Sequence, residues 1–198
     1  MRARDNPFQA SRIERVPYRF PAGSSWELLL QRLKQLDNRA ALVGPEGSGK
    51  TTMLEELDAR IQNLGYRTGL IRACAGRAGL DLPLEVGKND VLLIDSAERL
   101  NWLEWRRLKW ATRTAGGLVI TSHRPGLLPA LFDCRTTPAL FAEIVRQLTS
   151  VDEFNRFSPE HLGHLFAAHQ GNVRGALREL YNRCQRAPES CIATENWM

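Results

Sequence analysis

Eight consecutive residues, Gly44-Pro45-Glu46-Gly47-Ser48-Gly49-Lys50-Thr51, restrict the fold more than any other part of this 198-residue chain. They spell G-x-x-x-x-G-K-[ST], a loop that cradles phosphate. Glycine at 44, 47 and 49 admits backbone conformations barred to residues with a Cβ and lets N–H groups approach an anion closely. Successive N–H groups then form a concavity for that anion. The loop must open onto a helix N-terminus, which adds a partial positive charge. Lys50 supplies an ammonium for the β- and γ-phosphates, and the Thr51 hydroxyl is a ligand for Mg²⁺. Such a loop works only between a buried strand and a helix. Ala40-Ala41-Leu42-Val43 is a short apolar run suited to a parallel strand. Thr52 to Leu64 carries Met53, Leu54, Leu57, Ile61 and Leu64 at helical spacing, and Gly65 ends it. The expected nucleotide-binding residues are therefore Gly44 to Thr52, and the expected class is α/β with a parallel sheet.

Composition narrows the rest. With 43% hydrophobic residues the chain can build a core, and 25% charged residues argue against a membrane protein. No apolar stretch approaches the ~20 residues that a spanning helix needs. A net charge of +5 allows an acidic partner such as DNA but is not extreme. Cys74, Cys134, Cys184 and Cys191 lack metal-ligand or paired spacing, so reduced thiols and a cytoplasmic location are expected. No secretory h-region opens the sequence, and Asp5 and Glu14 argue against a transit peptide.

Residues 1–25, with Pro7, Pro17, Pro21 and Gly23, read as an irregular N-terminal arm. Its Val16–Pro21 stretch has two readings: packed across a nucleotide base, or a surface arm. Ser25 is the expected N-cap of a helix from Trp26 to about Leu36. Thr68 to Ala73 is a second strand, and 75–89, rich in glycine, a reduced connection. Val91-Leu92-Leu93-Ile94-Asp95 reads as a central strand ending in a carboxylate at the ligand-facing edge. Asp95 is the expected Mg²⁺ partner, directly or through water. Glu98 either polarises an attacking water or decorates a first helical turn. A single helix is expected over 97–115, bearing Arg99, Trp102, Trp105, Arg106, Arg107, Lys109, Trp110 and Arg113. The commoner arrangement of such a surface packs tryptophans inward under arginine stems. The other is a nucleic-acid surface. Leu118 to Thr121 is a further strand whose polar end, Thr121-Ser122, can hold a water. Cys134 to Thr137 offers a fifth strand. Helices are expected from Pro138 to Leu148, from Pro159 to about His169, and from Val173 to Cys184, followed by a tail at 187–198.

Taken together, the phosphate loop, the strand ending at Asp95, the polar strand end at Thr121-Ser122 and the segment Gly171-Asn172-Val173-Arg174-Gly175-Ala176-Leu177 resemble the AAA+ ATPases, in particular their compact initiator and clamp-loader-like branch. The resemblance runs over roughly residues 16–184. It implies a P-loop NTPase sheet flanked by helices over 26–137 and a small helical lid over 138–186. It further implies that Lys50 and Thr51 serve as Walker A, Asp95 as Walker B, Thr121 or Ser122 as sensor 1, and Arg174 as sensor 2. Arg135 would be either a finger acting on a neighbouring copy or a surface arginine. ATP with Mg²⁺ is the implied ligand, and no N-K-x-D guanine-reading motif is present. The family usually has Glu directly after the Walker B Asp. Here Ser96 stands there, which leaves open a nucleotide-gated switch or adaptor with little hydrolysis. A small P-loop kinase is a further reading. The spans from 68 to 95 and from 95 to 121 leave no room for the inserted elements of motor members.

Overall fold

The computed structural model describes residues 6–73 and 86–186. Eight α-helices occur among them: α1 Ala10–Ile13, α2 Trp26–Gln35, α3 Lys50–Asn63, α4 Trp102–Ala111, α5 Pro138–Leu148, α6 Val151–Phe154, α7 Pro159–Ala168 and α8 Val173–Arg186. The strands are β1 Arg39–Val43, β2 Arg67–Arg72, β3 Asp90–Asp95, β4 Gly117–Ser122 and β5 Ala130–Asp133. Together they make one all-parallel sheet in the order β2-β3-β4-β1-β5, so the class is α/β. No helix among the described residues is long and apolar enough to cross a membrane.

The described residues divide into two units. The first is the sheet with α2, α3 and α4. Its central strands β3 and β4 are buried almost throughout and apolar between their polar ends, over Val91–Ile94 and Leu118–Ile120, because helices cover both faces. Ala41, Val43, Leu92, Ile94, Leu118 and Ile120 share one core with Leu108 of α4. The alternate residues, such as Leu42, Leu93 and Val119, are buried on the opposite face. There α3 supplies Met53, Leu54 and Leu57, and Met53 Sδ lies 3.7 Å from Cys134 Sγ. Strand order also decides where a ligand fits. The chain leaving β1 crosses past β4 and β3 to reach β2, whereas the chain leaving β4 passes over β1 to β5. Two neighbouring strands with oppositely directed exits leave a crevice at their carboxyl ends. The glycine-rich loop 44–49 follows β1, and Ser122 ends β4.

Several expectations are corrected in this unit. The helix after the loop begins at Lys50, two residues before the expected start. The single helix over 97–115 is two pieces. Ser96 is left-handed at φ 63°, a 3₁₀ turn spans Ala97–Arg99, and Leu100 is extended. Asn101 then restarts the chain as α4 with a capping box: its side chain accepts from Glu104 N–H, and Glu104 accepts from Asn101 N–H. The fifth strand is Ala130–Asp133, not 134–137. Buried Leu131 holds it against β1, and Thr137 is already committed to capping α5 through Leu140 N–H. Phe20, placed by one reading across a base, packs edge-on to Trp26 and Phe132. The Asp37-Asn38 turn is left-handed at both residues, as a sharp entry to β1 requires. Most of the 75–89 connection and the 187–198 tail lie outside the described residues.

The second unit comprises residues 6–19, 46–48 and 135–186. It holds four helices after the sheet rather than three, since α6 intervenes on a Ser150–Glu153 capping box. Ser158 and Pro159 open α7 in the expected way. Within the expected 1–25 arm, the described residues include one helical turn, α1, and a segment packed into this unit. Phe8 is 2% exposed and shares a core with Phe141, Phe157, Leu165 and Leu177. Asn6 is fully buried, accepting from Phe8 N–H and donating through Nδ2 to Tyr181 O at 3.0 Å. The expectation of four reduced thiols also fails, because Cys184 is disulfide-bonded, while Cys134 is a buried free thiol.

His161 of α7 is buried in this unit. Burial, helped by the Arg183 charge, holds its imidazole below the ordinary histidine range. The folded state thus binds its proton less readily than the unfolded chain, and stability contributed by the neutral ring is lost as pH falls below about 6.5. Thermal midpoints measured from pH 7.5 to 5.0 are expected to fall less steeply in His161→Gln than in the wild type. Equal slopes would assign the acid sensitivity elsewhere.

Candidate functional site

The site is built where β1, β3 and β4 end. Gly44 N–H donates to Ser122 O at 3.2 Å, which ties the loop's entrance to the end of β4. Gly47 and Gly49 take φ of +72° and +84°, the left-handed backbone that glycine adopts without cost. Lys50 is buried, and its ammonium donates to Gly44 O and Pro45 O, each at 2.7 Å. Thr51, one residue into α3, reaches across to β3: its hydroxyl lies 3.1 Å from Asp95 Oδ2 and 3.3 Å from Oδ1.

Asp95 is the hub. Thr121, from the neighbouring strand, donates to Asp95 Oδ1 at 2.7 Å and accepts from Ser96 N–H at 2.7 Å. The second bond holds Ser96 in its left-handed turn, a conformation that costs a non-glycine residue about 1–2 kcal/mol. Thr121 therefore orients the carboxylate and has no proton left for a water. Ser122 is likewise committed: its hydroxyl donates to Arg124 O at 2.8 Å and accepts from Arg124 N–H. Glu98 points one carboxylate oxygen at His123 Nε2, 3.3 Å away, while its Oε2 is buried with no hydrogen-bond partner.

Two residues escaped the sequence reading. Arg72 ends β2 in register with Asp95, places Nε 3.9 Å from Asp95 Oδ2 and pairs with Glu55 at 2.6 Å. A strand-end arginine gives no sequence signal until strand pairing is known. Asn172 is the other. Within the helical unit it caps α8, accepting from Gly175 N–H at 2.8 Å, and it also lies against Gly47. The loop triplet 46–48 groups with that unit for this reason.

The loop fits a phosphate by one further observation. Ser48 Oγ is buried and has no hydrogen-bond partner. An orphaned hydroxyl of this kind costs about 1–3 kcal/mol, recovered when a phosphate oxygen accepts from it. A Mg²⁺ ion would be held by Thr51 and Asp95. The described residues contain no cluster of three His, Cys, Asp or Glu side chains around one point. Mg²⁺ does not need one, because it keeps several waters and takes its remaining ligands from substrate phosphates. Of the predicted site residues, the sheet unit thus brings together Gly44, Pro45, Lys50, Thr51, Asp95, Thr121 and Ser122, with Glu98 close by on its 3₁₀ turn. Arg135 and Arg174 belong to the helical unit, both exposed, Arg174 in the first turn of α8.

No protein-family model matches the sequence, and no curated protein matches it.

Proposed function

We propose that the protein binds ATP with Mg²⁺ at residues 44–52 and hydrolyses it slowly to ADP and phosphate, as an AAA+-like P-loop ATPase that gates a partner interaction. The observation that carries this reading is the convergence of two hydroxyls, Thr51 from the loop helix and Thr121 from the strand beside β3, on the single carboxylate of Asp95. A structural aspartate capping a turn needs one such partner. A carboxylate fixed from two elements, at the carboxyl edge of a parallel sheet, is oriented for a ligand.

In this reading the loop N–H groups and Lys50 hold the β- and γ-phosphates. The ammonium exchanges its two carbonyl partners for phosphate oxygens, which makes stronger charge-assisted bonds. Thr51 and Asp95 hold Mg²⁺, which when bound draws negative charge off the phosphate oxygens. Thr121 keeps Asp95 aimed. The unpartnered Oε2 of Glu98 accepts a hydrogen bond from the attacking water, with His123 fixing the other oxygen. Water adds to the γ-phosphorus as the bond to the β–γ bridging oxygen breaks. Ser96, in place of a glutamate directly after Asp95, leaves catalysis to a residue three positions along, on a separate turn. That substitution, and the commitment of both the Thr121 and Ser122 protons, favour slow turnover and support the second reading, a nucleotide-dependent switch.

The test is ATP affinity with Mg²⁺, by calorimetry, for the wild type and Lys50→Met. The methionine keeps the stem and removes the charge. Losing one or two charged hydrogen bonds, each worth about 1.5–3 kcal/mol, predicts at least about 10-fold weaker binding. Equal affinities, or no binding by folded wild type at about 1 mM ATP, the top of the usual enzyme range, would retire the reading.

A further inference from the structure

The outer face of α4 is unlike the rest of the surface. Trp102 and Trp110 are 65% and 68% exposed, whereas Trp105 packs inward on the sheet. Each outer ring carries an arginine: Arg106 Cζ lies 4.8 Å from the Trp102 centroid, and Arg113 Cζ lies 4.1 Å from the Trp110 centroid. At 100° per residue, Trp102, Arg106, Lys109 and Trp110 fall within an arc of roughly 100°, on one side of the helix, and Arg113 follows two residues past its end. The two rings stand about 12 Å apart along the axis, eight residues at 1.5 Å each. Between residues 99 and 113 there are five basic residues and one acid, Glu104, which is spent on the helix cap. Among the described residues no carboxylate pairs with Arg99, Arg106, Arg107, Lys109 or Arg113.

We propose that this face binds single-stranded nucleic acid. Exposed aromatic faces take unpaired bases by stacking, and neighbouring cations take the backbone phosphates. A duplex conceals the faces of its bases, so two rings are of use to it only where it is opened. The ~12 Å separation exceeds the ~3.4 Å rise of stacked bases, so each ring takes one base, and the nucleotides between them pass over the cations. A protein partner would need a matching acidic segment, and it would not need arginine planes laid over both rings. The proposal is independent of the phosphate loop: none of these residues touches Lys50, Thr51 or Asp95.

Anisotropy of a labelled 20-nucleotide oligo(dT) tests it, using the full chain from about 50 to 200 mM salt, a range over which phosphate contacts register strongly. The wild type is expected to bind, and Trp102→Ala and Trp110→Ala each to bind about 5- to 150-fold more weakly, the range measured for one stacked base. Arg106→Glu/Arg107→Glu is expected to weaken binding and to lower the salt slope by about 1.4, two single-strand phosphate contacts. Melting temperature and Mg²⁺-ATP affinity should not move in the tryptophan variants, which separates a lost surface from a lost fold. Unchanged affinity in both tryptophan variants would overturn the proposal. So would equal binding of a duplex or of polyglutamate, which marks a merely basic patch. Failure of the folded wild type to bind oligo(dT) at the lowest salt would also overturn it and leave the face to an acidic protein segment.

Discussion

Gly47→Ala is expected to destabilise the protein by roughly 3 kcal/mol. Two independent costs combine. Alanine at φ +72° sits in left-handed space, worth about 1–2 kcal/mol. A Cβ there would also lie 1.9 Å from Asn172 Oδ1, 2.6 Å from its Cγ and 3.2 Å from its Cα. Asn172 cannot swing aside freely, because Oδ1 holds Gly175 N–H in the first turn of α8 and that cap is worth about 1 kcal/mol. Denaturant unfolding of a double-mutant cycle separates the two. Asn172→Gly alone costs only a few tenths of a kcal/mol, since glycine is a tolerated cap. In the Asn172→Gly background, Gly47→Ala should cost only its φ term. If the cost is the same in both backgrounds, Asn172 does not press on the loop and glycine is required there for its conformation alone.

Phe8→Ala is expected to cost about 3–5 kcal/mol, the range for a buried phenylalanine. That is a large part of the ~5–15 kcal/mol that holds a typical domain folded. The ring is 2% exposed and meets Phe157 edge-on with centroids 6.3 Å apart. Its backbone N–H is fixed by Asn6, which in turn reaches Tyr181. The comparison is with Arg12→Ala and Arg15→Ala, exposed neighbours on the same segment, where changes within about 0.5 kcal/mol are expected. A Phe8 variant that unfolds at the same denaturant concentration as these would place this segment outside the core.

These two positions also mark where sequence reasoning worked and where it did not. Gly47 was legible as the middle glycine of the loop, a residue type that admits conformations barred to others. Its second reason, Asn172, was invisible, since 125 positions separate the two and only packing joins them. β1, β3 and β4 were legible as unbroken apolar runs, because a parallel strand covered on both faces leaves no room for alternation. β5 was not: an edge strand of four residues with one buried side chain carries little pattern. The break at 96–101 could have been found, for Asn101 and Glu104 spell a capping box inside the presumed helix. Phe8 lies in a proline-marked stretch whose single turn of helix is too short for periodicity. Within the site, Asp95 was placed by its strand. Thr121 and Ser122 are legible only as a polar strand end able to hold a water, whereas the bonds of Thr121 aim Asp95. Hydroxyl direction is set by neighbours on other strands, and residue type does not contain it.

The joining of Asn6 to Tyr181 across 175 positions has a consequence for how the protein is made. On a ribosome adding about 5–20 residues per second, the opening segment waits roughly 10–35 s for its partners. During that interval the sheet can complete itself, but Phe8 has no core to enter. A chaperone that meets the nascent chain in that interval should therefore find it by the segment around Phe8, whose ring emerges long before its socket.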